Sequence, residues 1–256
     1  MSDFLPPWNK DPDSYIEKIK SLGTYLKKKA FAKDLEFLDI GGGFYPEDTA
    51  ILTKYTYKGD LIRVLEEYQE EVNDNSKFKF NGIGFSTRKV YDLGYFAKKI
   101  AESLDKYIYT INKNTKILTE PGRFLVTHST SILLKVIATK GNNFIVDGGV
   151  NMVGDYRFEE TSFYPIVNIS NPSLRLRKAI IYGPLCDPSD LWGYSYYGNK
   201  IKKGDILCVL HQGAYTFSCS WRFIKPLPSY NVISGNKLIQ AKKEETFRDR
   251  YNNCII

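Results

Sequence analysis

Four short groups of residues in this chain are of types and spacings that could carry chemistry. Residues 37–47 read FLDIGGGFYPE, an apolar run and an acid followed by Gly41, Gly42 and Gly43. Consecutive glycines accept positive φ and let backbone N–H groups come close to an anion. A phosphate cradle is one reading; a tight strand-exit turn is the other. The spacing is neither GxGxxG nor the Lys-Ser/Thr ending of a P-loop. Glu120-Pro121-Gly122-Arg123 closes the run TKILTEP. A glutamate there can pair with a ring nitrogen that must stay protonated, and an arginine can grip a phosphate or carboxylate with two bonds. The alternative is a turn with a surface Glu–Arg pair.

Gly183-Pro184-Leu185-Cys186-Asp187 places a thiol beside a carboxylate after an apolar segment. Cys186 there could donate a proton and Asp187 could meet an amine, or the pair could be a structural cysteine and a turn aspartate. Gly213-Ala214-Tyr215 offers a phenol after DILCVL, although Tyr215 is one of 19 tyrosines and an ordinary core tyrosine is the competing reading. His128 and His211 fall in β-like segments and read as structural or surface residues.

The elements that must position these groups divide into two textures. Residues 14–30 place Tyr15, Ile16, Ile19, Leu22 and Leu26 at helical spacing, with Asp11 or Asp13 near the N-cap. LEFLDI then reads as a buried strand ahead of the glycines, which is the order of a parallel α/β unit. A long insert follows. Its DLIRVLEEYQEEV reads as helix, and KFKFNGIGFSTRKVY as strands around the hairpin pair Asn81-Gly82. YFAKKIAESLDKYI (95–108) reads as a helix before the buried-looking strand TKILTEP. After residue 123, short apolar runs such as SILLKVIATK, NFIVDGG, RKAIIYGPLC, DILCVL and YTFSCSWRFI alternate with turn residues. That texture predicts an antiparallel β-sandwich or barrel over 124–256, preceded by an α/β piece over 1–123.

Composition narrows the function classes. The chain has 256 residues, 43% hydrophobic and 14% aromatic, enough for a core. No apolar run is long enough to span a bilayer, and the N-terminus lacks a signal-peptide plan, so a cytoplasmic protein with no membrane partner is expected. The net charge of +7 comes without a nucleic-acid motif, so no nucleic-acid partner is expected either. The four cysteines lack CxxC spacing; neither a disulfide framework nor a metal site is expected.

Taken in order, DIGGGF, EPGR, GPLCD and GAY resemble the signature series of the pyridoxal-phosphate-dependent ornithine, diaminopimelate and arginine decarboxylases, the alanine-racemase-like fold type. VDGGVN (146–151), SCSWRF and KEETFRDR are softer echoes. The resemblance implies the last strands of a (β/α)8 barrel followed by the β domain of such decarboxylases. It implies that Gly41, Gly42 and Gly43 receive the cofactor phosphate, aided by Tyr215, and that Glu120 faces the pyridine nitrogen. Gly122 and Arg123 would bracket the phosphate or the substrate carboxylate. Cys186 would return a proton to the substrate carbon after CO2 leaves, and Asp187 would meet the substrate's distal end, both reaching a neighbouring subunit of a dimer. The substrate would be a basic or diamino acid, or an amino acid on a carrier, placing the lyase in polyamine, lysine or related amino-acid metabolism.

The chain also departs from that pattern. The family's Schiff-base lysine and its ring-stacking histidine belong upstream, and no segment ahead of Gly41 resembles them. The expectation is a chain that begins after most of the barrel and is inactive alone. A second chain carrying the N-terminal barrel half would supply the lysine; a regulatory partner of a complete decarboxylase and an inactive truncated product are the alternatives. The stretch from Gly43 to Glu120 is longer than one barrel step, with an insert near 76–92. Cys186-Asp187 is closer to the ornithine-type or carrier-linked subgroups than to a Cys-Glu pair, and the family's asparagine after GAY falls on Ile224.

Overall fold

The structure, a computed structural model, describes residues 12–44, the backbone of 51–52 and 87–88, and residues 92–153, 164–188 and 190–252. The chain divides into two compact units, residues 1–127 with 160–162 and residues 128–159 with 163–256. Among the described residues no helix is long and apolar enough to cross a membrane.

In the first unit, helix α1 (Asp13–Leu26) buries Tyr15, Ile19, Gly23 and Leu26 along one stripe, as the sequence periodicity predicts. Its N-cap is Pro12 with no side-chain cap; Asp13 is instead the first-turn acid. Helix α2 (Leu93–Tyr107) starts on Asp92, whose side chain accepts from the Tyr95 N–H at 2.9 Å, and buries Phe96, Ile100, Ser103 and Leu104. The two helices meet closely at Gly23, where a Cβ would lie 2.6 Å from the Tyr107 carbonyl oxygen. Strand β1 (Phe37–Gly42) pairs in parallel with β4 (Lys116–Glu120), in a sheet of these two strands. Strands β2 (Ile51–Leu52) and β3 (Thr87–Arg88) form a short antiparallel pair. The rest of the expected hairpin around Asn81-Gly82, and the helix expected at DLIRVLEEYQEEV, lie outside the described residues.

The β1–β4 register sorts the sheet into two faces. Leu38, Ile40 and Ile117 pack against the cluster built on Tyr15, Ile19, Phe96, Ile100 and Leu104. Phe37, Asp39, Lys116, Leu118 and Glu120 alternate onto the other side, and all five are exposed. Both segments were expected to be buried strands. Phe37 is instead 56% and Leu118 45% exposed, because among the described residues helices cover one face alone.

In the second unit, β5 (Ile132–Lys140), β6 (Asn143–Val146), β7 (Ile166–Asn168), β8 (Leu176–Tyr182), β9 (Leu191–Tyr197) and β10 (Ile206–Val209) form one sheet. The order is β10-β5-β6-β8-β9-β7, and β7 pairs back onto β10. The sheet is mixed, which corrects the antiparallel expectation: β6–β8 and β7–β9 run parallel. Alternating side chains from these strands, with Trp192 fully buried, build the core. Asn168 is a buried hub: its Nδ2 donates to Asp205 Oδ2 at 3.0 Å, and its Oδ1 accepts from the Ser170 and Asn171 N–H groups. The hairpin β11 (Tyr230–Ser234) and β12 (Lys237–Lys242) turns at Gly235, with φ of 58°.

Two further expectations fail locally. YTFSCSWRFI is not a strand. Turns occupy it, with Cys219 N–H bonded to the Thr216 carbonyl at 3.1 Å, and Phe217 and Cys219 face outward. Nor do the histidines lie in strands: His128 is in a 3-10 turn (Thr127–Ser129) and His211 follows β10 with φ of 60°. Their rings meet edge to face with centroids 4.5 Å apart.

Candidate active site

The first unit brings the glycine turn and the Glu120 motif together. Gly42 is the register partner of Glu120, and a Cβ on Gly42 would lie 2.0 Å from the Glu120 carbonyl oxygen. No side chain fits there. Gly41 and Gly43 take φ of 77° and 89°, the left-handed region in which glycine is unstrained. Behind the turn, the Tyr15 hydroxyl donates to the Gly42 carbonyl oxygen. Tyr15 also stacks on Phe44 at 5.1 Å, and Phe96 meets both rings edge-on. Sequence periodicity marked Tyr15 as a core residue; its hydroxyl contact with the turn carries no sequence signal.

After Glu120, Pro121 opens a short helix (Gly122–Val126) that buries Arg123, and the Thr127 hydroxyl donates to the Arg123 carbonyl oxygen at 2.8 Å. Glu120 itself is exposed on the open face of the sheet. A Cβ on Gly41 or Gly122 would meet no heavy atom within 4 Å, so neither is glycine for want of space. The Gly41 N–H donates to Asp39 Oδ1 at 2.8 Å. That carboxylate oxygen takes the position a phosphate oxygen would need at this donor. The turn therefore already meets an oxyanion, and a phosphate using the same N–H must displace Asp39.

The second unit holds the thiol motif. Cys186 is exposed and Asp187 half-buried, on the loop between β8 and β9. The loop closes on Asp190, which is buried at 2% exposure. Asp190 Oδ1 accepts from the Val150 N–H at 2.8 Å, and Oδ2 from the Leu185 N–H at 2.6 Å. Burial raises the Asp190 carboxyl above its ordinary value of 3.8, those two N–H bonds pull it back, and the charge of Asp187 adds a small push upward. Sequence reading gave Asp190 no role, since an aspartate three residues past another gives no hint of burial. The echo VDGGVN lies beside this loop: a Cβ on Gly149 would fall 2.5 Å from Leu185 Cγ, and Trp192 Nε1 donates to the Gly148 carbonyl oxygen at 2.7 Å.

Tyr215 stands on a separate loop of the same unit, 45% exposed, with φ of 60°. It lies beyond the end of β10 at Val209 rather than on the strand. Gln212 anchors the loop: its N–H donates to the Thr130 carbonyl at 2.8 Å, its Nε2 to the Leu210 carbonyl at 2.8 Å, and its carbonyl accepts from the Thr216 hydroxyl at 2.5 Å. A non-glycine residue at positive φ costs about 1–3 kcal/mol and persists where the surroundings dictate it. Among the described residues no group of three or more His, Cys, Asp or Glu could hold a metal ion.

The first unit thus sets a glycine turn beside a glutamate, and the second carries a thiol–carboxylate loop. Residues 51–213 match the pyridoxal-dependent decarboxylase family in its C-terminal sheet domain, and the chain belongs to that family, whose cofactor is pyridoxal phosphate. The match includes Glu120, Gly122, Arg123, Cys186 and Asp187; Gly41–Gly43 precede it and Tyr215 follows it. The chain is 31% identical over 147 residues to an L-glutamyl-[BtrI acyl-carrier protein] decarboxylase of Niallia circulans, covering 53% of this chain and 34% of that protein. It is 24% identical over 251 residues to a diaminopimelate decarboxylase of Methanothermobacter thermautotrophicus, covering 93% of this chain and 49% of that one. The crystal structure of diaminopimelate decarboxylase from M. jannaschii with L-lysine superposes with a TM-score of 0.69 at 20% identity, over 96% of this chain and 49% of that one. The chain thus spans about half the length or less of these relatives.

Proposed function

We propose that this chain is the C-terminal portion of a pyridoxal-phosphate-dependent amino-acid decarboxylase. The observation that carries the reading is the β1–β4 sheet, with one face on helices and the other presenting Glu120 beside the glycine turn. When bound, the pyridoxal ring supplies an electron sink for the bond that breaks on loss of CO2. Glu120 holds a proton on the ring nitrogen, where its exposed carboxylate can accept an N–H. Gly41, Gly42 and Gly43 receive the phosphate at backbone N–H groups once Asp39 leaves the Gly41 N–H, Tyr215 adds a hydroxyl, and Gly122 and Arg123 border the phosphate or the substrate carboxylate. Cys186 Sγ delivers a proton to the substrate carbon, and Asp187 binds an amine at the substrate's far end. The substrate is a basic or diamino acid, or an amino acid on a carrier; the diaminopimelate and carrier-linked relatives support both kinds. The Schiff-base lysine sits on the N-terminal barrel strands, which residues 1–256 do not supply, and the enzyme works as a dimer. A cytoplasmic site of action fits Cys186, Cys208 and Cys219, none of which is in a disulfide.

The test is reconstitution. The purified chain is mixed with a chain carrying the missing barrel strands and lysine, and cofactor absorbance and CO2 release are measured. Both signals are expected from the mixture and neither from this chain alone. Cys186→Ala in the reconstituted enzyme is expected to slow turnover by about 10²–10⁴-fold, and full activity of that variant would remove Cys186 from the mechanism.

A further inference from the structure

The loop that carries Cys186 and Asp187 is held by a residue with no assigned part in the chemistry. Four hydrogen bonds converge on Asp190. Its two carboxylate oxygens accept from Val150 and from Leu185, the residue next to Cys186, at 2.8 and 2.6 Å. Its carbonyl oxygen accepts from the Gly183 N–H at 3.0 Å, and its N–H donates to the Asp187 carbonyl at 2.9 Å. Gly183 is fitted to the carboxylate: a Cβ there would lie 2.1 Å from Asp190 Oδ1. A buried carboxylate is costly to desolvate and persists where several donors meet it.

From this geometry we infer that Asp190 is the positioning residue for Cys186 and Asp187, its carboxylate tying their loop to the turn at Val150. The inference rests on the reading of Cys186 and Asp187 as the reacting pair. An aspartate is needed because each of its oxygens accepts an N–H. An asparagine keeps one acceptor and turns an NH2 group against the other donor.

The three described cysteines report on the clamp separately. Cys186 and Cys219 are exposed and Cys208 is buried. The full chain and its Asp190→Asn, Asp190→Ala and Gly183→Ala variants are alkylated with iodoacetamide, and each cysteine is followed by mass spectrometry. Amide hydrogen exchange is followed at Val150 and Leu185. Gly183→Ala displaces the carboxylate without removing its charge. The Cys186 rate relative to Cys219 is expected to rise about tenfold in Asp190→Ala and Gly183→Ala, the equivalent of one hydrogen bond to a charged group. Asp190→Asn should rise less, Cys208 should stay unreactive, and protection of Leu185 and Val150 should fall in the same order. An unchanged Cys186 rate in all three variants overturns the inference. So does a parallel rise at Cys208, which would mean general loosening. Neither cofactor nor substrate enters the readout, so a fully active Cys186→Ala enzyme would refute the catalytic reading while the clamp could still be measured.

Discussion

An added methyl group at Gly42 would sit 2.0 Å from the Glu120 carbonyl oxygen, whereas at Gly41 it would meet nothing within 4 Å. The two neighbours are therefore glycine for different reasons. Gly42 lets two strand backbones approach, while Gly41 takes a φ of 77° that strains any side-chain-bearing residue. Gly42→Ala forces β1 and β4 apart and is expected to cost about 2–3 kcal/mol, the upper part of the overpacking range. Gly41→Ala keeps the pairing and is expected to cost about 1 kcal/mol. Urea denaturation of the two variants measures the difference, and equal losses would mean that Gly42 is not held by the contact with Glu120. Sequence reading singled out the glycine run but could not separate its members, because the separation depends on which strand lies alongside. The same limit hid Asp39, which sits in the apolar run and turns out to bond the Gly41 N–H.

At the scale of elements, an acid helps to tie down the segment after β12. Glu245 Oε1 accepts from Arg222 Nε at 2.7 Å, and its Oε2 accepts from the Leu227 N–H at 3.3 Å. The hydrogen bond from Arg222 holds the Glu245 carboxyl below its ordinary value of 4.5, with burial opposing it and the Leu227 N–H assisting. A depressed carboxyl gives stability that is present above 4.5 and lost as pH falls through the folded value. The second unit should therefore lose stability on that acid limb, and Arg222→Ala should lower the neutral-pH stability and flatten the limb. Urea midpoints measured from neutral to acid pH check this; an unchanged limb in the variant would show that the pair contributes nothing. Elements whose pattern is local were legible in the sequence: α1 and α2 from their buried stripes, β5, β6, β8 and β10 from apolar runs. The parallel β6–β8 and β7–β9 pairs were not, since partner choice is decided by contacts far apart in sequence. YTFSCSWRFI has strand-like composition, yet Gln212 and positive φ at Tyr215 commit the chain to turns.

At the scale of the whole molecule, the open face of the β1–β4 sheet poses the largest question. Parallel strands are ordinarily covered on both sides. Here Leu38, Ile40 and Ile117 pack on helices, while Phe37 and Leu118 face outward beside Glu120. If a second chain completes the barrel, these two side chains become interior. A double substitution Phe37→Lys with Leu118→Lys then separates folding from assembly. Both positions are exposed in this chain, so its own stability should change by no more than about 0.5 kcal/mol per site. Assembly should fail, because two ammonium groups would have to be buried without partners. Light scattering after size exclusion measures the complex, and urea denaturation of the isolated chain supplies the control. A doubly substituted chain that assembles like the wild type would place the completing strands elsewhere. Cofactor binding gives an independent check, since Glu120 shares the face: loss of assembly should carry loss of cofactor absorbance with it, and absorbance that survives would detach the cofactor site from this sheet.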